Sequence, residues 1–99
     1  MNYFPEDHPL SEFNDYLYLE SGTYEMPIYI FKKDNVGILA HYYLPKNKVN
    51  IPRVTVYLVN FFNDYDWVLD RKTRVIENQN ILELNDTLAN YIRSNLLHG

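Results

Sequence analysis

Ten residues, Arg53-Val-Thr-Val-Tyr-Leu-Val-Asn-Phe-Phe62, constrain the fold of this chain more than any other segment. β-Branched and aromatic side chains favour a strand. The apolar residues fall on both alternating sets: Val54, Val56, Leu58 and Phe62 on one side, Tyr57, Val59 and Phe61 on the other. A strand apolar on both faces is expected to be central in its sheet and covered twice. Left bare it would aggregate, and Pro52, Arg53 and Asp64 flank it as gatekeepers do.

The neighbouring segments supply strands to pair with it. Met26–Lys33 and Val36–Leu44 are rich in β-branched and aromatic residues and are separated by Asp34-Asn35, which predicts a β-hairpin. Pro27 has no N–H to donate and belongs at a strand start or on an edge. Upstream, Leu10, Phe13 and Leu17 have helical spacing behind a possible Ser11 cap, whereas residues 16–20 alternate. A helical turn near 11–15 running into a strand near 16–20 reconciles the two patterns, and Ser21-Gly22 turns the chain. Downstream, Trp67–Asp70 and Thr73–Glu77 read as two short strands around Arg71-Lys72, or as one longer bent strand.

At the C-terminus, Leu88, Tyr91, Ile92 and Leu96 form one apolar stripe. Asn85 is placed to cap this helix, with Asp86 at the positive end of its dipole and Arg93 and His98 near the negative end. The expectation is a single α+β domain over residues 1–99: an antiparallel sheet of four or five strands with a helix over about 86–97 on one face. Residues 1–12 form an irregular acidic arm. One helix covers one face only. The other is then either a Tyr- and Phe-rich surface for a partner or a second copy, or is closed by a strongly curled sheet; the contact surface, including a homodimer, is the preferred expectation.

Composition removes several classes of chemistry. The chain has no Cys, hence no disulfide, thiolate nucleophile or Cys-based zinc site. The acidic start Met1–His8 is not a signal peptide, and no apolar run approaches the ~18 residues of a spanning helix; a cytoplasmic protein is expected. Abundant Asn, Tyr and Ile hint at AT-rich coding, as in low-GC bacteria or their phages. No glycine-rich phosphate loop or nucleophile elbow is present. Asp64, Asp66 and Asp70 lack the Gly and Glu of a calcium loop, and no metal or cofactor is expected. His41 reads as a half-buried strand residue before it reads as the general base of a small hydrolase or nuclease.

Charge is unevenly placed within the formal −4. Glu6, Asp7, Glu12, Asp15, Glu20 and Glu25 precede the first Lys or Arg; these acids either pack across the basic middle of the chain or steer a basic partner. Lys46, Lys48, Arg71, Lys72 and Arg74 could meet phosphates, but an acidic protein without a ribonucleoprotein signature makes nucleic acid the lesser expectation. The leading reading is a small non-catalytic protein-binding module, of the inhibitor or immunity type found in phages and mobile elements, that occludes a partner's surface. Its candidate contacts are Asp64, Tyr65, Asp66 and Trp67 on an acidic-aromatic loop, with Glu6, Asp7, Glu12 and Asp15 steering. Trp67 itself reads as a core anchor.

Overall fold

The computed structural model describes residues 3–97. After a short 3-10 helix, Ser11–Tyr16, come five strands: β1 (Leu17–Gly22), β2 (Pro27–Lys33), β3 (Val36–Tyr43), β4 (Arg53–Phe61) and β5 (Trp67–Glu77). Helix α1 (Ile81–Ile92) follows and ends in a π-helical turn, Arg93–Leu97. All neighbouring strands pair antiparallel in the order β1-β2-β3-β4-β5. This is the expected α+β sandwich of one helix on one sheet, with β3 rather than β4 at its centre.

The tight β2–β3 turn places Asp34 at φ 56°, a left-handed conformation that Asp tolerates better than most residues. Pro27 opens β2, where its missing N–H costs no ladder bond within the strand. The acidic arm is not irregular throughout: Ser11 and Glu12 open the 3-10 helix, and Phe4 and Leu10 of the arm are buried together with Phe13. Asn14 clamps the backbone of Phe4 on both sides, accepting from its N–H at 2.8 Å and donating to its carbonyl at 3.0 Å.

Two apolar clusters lie on opposite faces of the sheet. Under α1, Phe31, Ile38, Ala40, Val54, Val56 and Ile76 meet Leu84, Leu88, Ile92 and the arm residues. On the other face, Ile30, Leu39, Val59 and Phe61 are buried against Tyr18, Leu19, Ile28, Tyr57 and Trp67. Among the described residues no second layer of helices covers this cluster; the sheet curls over it. In a flat sheet β1 and β4 would stand three strand spacings apart, about 14 Å. Instead the rings of Tyr18 and Phe61 are 5.0 Å apart, edge to face. A bulge between Leu17 and Leu19 helps bend β1 inward. The inward-facing row of β4 is thus buried within a single chain.

Four local expectations are corrected. The helix begins at Ile81 rather than near 86, capped by Asn80, whose side chain accepts from the N–H of Glu83. Asn85 is no cap but a buried residue of the helix interior, and His98 lies outside the described residues. Ser11 does not cap its turn; its hydroxyl donates to the Glu6 carbonyl. Of the two readings of residues 67–77, the one longer bent strand holds: β5 runs through Arg71-Lys72 with two bulges, which leave Asp70 and Thr73 without register partners. Phe62 lies beyond the end of β4 and does not extend the row of Val54 and Val56.

Candidate functional site

The segment 62–66 joins β4 to β5 and is held by its own side chains. Asn63 Oδ1 accepts from the N–H groups of Tyr65 and Asp66 at 2.8 and 3.0 Å, and Asn63 Nδ2 donates to Asp66 Oδ2 at 2.8 Å. The Phe62 N–H closes the turn onto the Asp66 carbonyl at 2.8 Å. An Asn side chain bonding backbone two and three residues on is the usual device of a tight turn.

The opposite end of the sheet holds this loop from outside. The Tyr18 hydroxyl of β1 donates to the Asp64 carbonyl at 2.8 Å, and Lys32 of β2 pairs with Asp64 Oδ1 at 3.4 Å while lying 5.1 Å from the Phe61 ring centroid. The curl that buries the second cluster therefore also fixes the loop. On this framework Tyr65 is 86% exposed and Phe62 71% exposed. Trp67 is half-buried beside Phe61, at 6.4 Å between ring centroids, as an anchor of the second cluster.

The sequence-predicted residues divide accordingly. Asp64, Tyr65, Asp66 and Trp67 are brought together, although the two acids already carry bonds to Lys32 and Asn63. Phe62, assigned from its alternation to the strand, joins them. The steering acids do not: the arm packs on the helix layer, and Glu12 is engaged by Arg93, whose guanidinium pKa is raised by that hydrogen-bonded pair. Of the acids before residue 26, Glu25 reaches the basic middle, pairing with Lys46 at 3.4 Å.

The basic candidates are not gathered on one face. Lys46 and Lys48 lie in the loop after β3. The two bulges put Lys72 opposite Tyr57, on the curled face, and Arg71 and Arg74 opposite Leu58 and Val56, on the helix side, where Arg74 stands 6.0 Å from the Tyr91 ring. His41 faces Ile28 and Thr55 on the curled side. Among the described residues no group of three or more His, Asp or Glu could hold a metal ion, and no helix is long and apolar enough to cross a membrane.

A second feature lies under the arm. Phe4, His8 and Leu10 meet Tyr29 and Tyr42 of the sheet and Ile81 and Asn85 of α1 around a cavity of about 140 Å³. Asn85, 7% exposed, accepts from the Tyr42 hydroxyl at 2.6 Å. Nothing in the alternation of β3 or the stripe of α1 marks a pocket built from four separate segments. No known protein family, curated protein or solved structure matches this chain.

Proposed function

We propose that this chain is a small non-catalytic protein-binding module that docks through the β4–β5 loop and occludes a surface of its partner. The observation that supports this reading is the display of Phe62 and Tyr65 on a loop held internally by Asn63 and, at Asp64, from across the sheet by Tyr18 and Lys32. Exposed aromatic rings supply large contact area, and a loop ordered before binding loses little further entropy on docking. Asp64 and Asp66 rim these rings, so the complementary site is an apolar cleft bordered by basic groups. An inhibitor or immunity protein of phage or mobile-element origin, working in the cytoplasm, is the type this design suits. Glu6, Asp7 and Asp15 act at longer range from the helix layer.

The test is capture of a partner by the tagged chain beside a Phe62→Ala, Tyr65→Ala variant. Both side chains are exposed, so the variant should keep its circular dichroism and melting temperature. Its partner affinity should fall by about 30-fold or more, the scale of a lost interface hot spot. A partner held equally by both proteins refutes the loop. Salt-sensitive retention of the chain on single-stranded RNA, abolished by Lys72→Glu with Arg74→Glu, would establish the nucleic-acid reading instead.

A further inference from the structure

The cavity beneath the arm has the properties of a ligand site that the binding loop does not explain. Its walls are mostly hydrocarbon and aromatic ring. Into this surface the helix places an amide, the one buried polar side chain among the described residues. Asn85 Oδ1 is taken by the Tyr42 hydroxyl, while Asn85 Nδ2 donates to no group of the described chain. No side-chain nitrogen or oxygen among the described residues is both sealed and unpartnered, so this N–H keeps an opening toward the cavity, where a water or a ligand oxygen can accept from it.

The lining also fixes the charge of an occupant. His8 accepts at Nδ1 from the Leu10 N–H at 3.0 Å, and burial holds its pKa below the ordinary 6.5, so the ring is neutral at pH 7. Tyr29 and Tyr42 are pushed up by burial and stay protonated. With no cation among the described residues of the wall, a carboxylate or phosphate would lose its hydration without compensation. The size sets the rest, since apolar cavities of about 150 Å³ accept a benzene ring.

We propose that this cavity binds a small neutral aromatic molecule, a single ring bearing one acceptor oxygen, with phenol as its simplest form. The ring lies among Phe4, Leu10, Leu44 and Ile81, and the oxygen accepts from Asn85 Nδ2. This site is independent of the β4–β5 loop, and the Phe62→Ala, Tyr65→Ala variant binds the same ligand equally well.

The experiment is a titration of the full ¹⁵N-labelled chain with phenol, benzene and benzoate, read by heteronuclear NMR. Phenol is expected to shift the Asn85 side-chain NH₂ pair and the backbone amides of Leu44 and Ile81 saturably. Benzene should bind the same place about fivefold to tenfold more weakly, lacking one neutral hydrogen bond, and benzoate should not compete. Ile81→Trp, at a half-exposed position on the rim, should weaken phenol at least tenfold. No saturable shift up to the solubility of phenol, or shifts away from these residues, overturns the site. Equal affinity for benzene overturns the role of Asn85, and tighter benzoate overturns the charge argument. If Ile81→Trp fails to fold, the comparison of the three probes in the natural chain decides alone.

Discussion

The bond between Tyr42 and Asn85 gives the sharpest test of how this core is held. Tyr42→Phe keeps the ring and its edge contact with Tyr29 at 5.9 Å, and removes one oxygen. A net hydrogen bond of about 1 kcal/mol is lost, and Asn85 Oδ1 is left buried without a donor, a penalty of about 1–3 kcal/mol where no water reaches it. Here the adjoining cavity lets water approach, so the total should settle near 1–2 kcal/mol. For a domain of this size that lowers the melting temperature by about 5–15 °C. Asn85→Leu alone strands the Tyr42 hydroxyl instead. The double variant removes both partners and should cost less than the sum of the two by about 1 kcal/mol.

Urea unfolding followed by Trp67 fluorescence and by far-UV circular dichroism measures all three variants, with an expected midpoint loss of about 0.5–1.5 M for Tyr42→Phe at unchanged slope. The alkaline limb gives a second readout. Burial raises the Tyr42 pKa above its ordinary 10.0, so the native state keeps a proton that the unfolded chain releases. Stability is therefore intact below pH 10 and is lost as pH rises beyond it. Tyr42→Phe should flatten that limb. A midpoint within about 0.2 M of the parent, strictly additive single variants, or an unchanged alkaline limb would refute the argument.

Other predictions concern the opposite pH limb, the curl and the second face. His8, its pKa lowered by burial, binds protons more readily when unfolded; stability should be intact above pH 6.5 and fall as pH drops below it, with His8→Asn flattening the loss in acid melts. Gly37→Ala would bring a Cβ 2.6 Å from Phe61 Cε2 and 3.2 Å from the Phe31 carbonyl oxygen, and should destabilise by about 1–3 kcal/mol in urea; a neutral result would mean that Phe61 is free to move. Because the curl already buries Val59 and Phe61, a homodimer through this face would rely on Leu69 and Val75, 48% and 44% exposed on a bulged edge strand. Light scattering is thus expected to return the 11.9 kDa of one chain, and twice that mass, abolished by Val75→Glu, would restore the dimer.

The parts of the fold legible in the sequence were those governed by one dominant period. The two-sided apolar row of residues 53–62 and the β-rich flanks of Asp34-Asn35 each point to one answer. The helix stripe was visible from Leu88 onward, but its start was missed because the cap was assigned to Asn85 alone. Asn80, with Glu83 three residues on, carries the capping signature, and Asn85 lies inside the core. β5 stayed open between two short strands and one bent strand for another reason: each bulge inserts a residue and shifts the alternation, so Asp70 and Thr73 interrupt the pattern of a continuous strand. The cavity was illegible altogether, since Phe4, Tyr29, Tyr42 and Asn85 share no local pattern.

The aromatic content, 16% of residues, acquires meaning from this partition. Phe4, Phe13, Phe31 and Phe61 are buried, whereas Tyr16, Tyr18, Tyr29, Tyr57 and Tyr91 stand half-buried at the boundary between core and water. That is the arrangement expected when a hydroxyl can be solvated and a bare ring cannot. Phe62 breaks the rule: it is the fifth phenylalanine, adjacent in sequence to a buried one, and it projects into solvent beside Tyr65. Folding alone gives no reason to spend a bare ring there, because the curl closes over Phe61 and Trp67 without it. The same curl carries Tyr18 and Lys32 across to Asp64, so the element that hides the second apolar cluster also holds the exposed pair in place. Under the proposed docking role, a surface displayed by the act of closing the core would need no separate ordering step on binding.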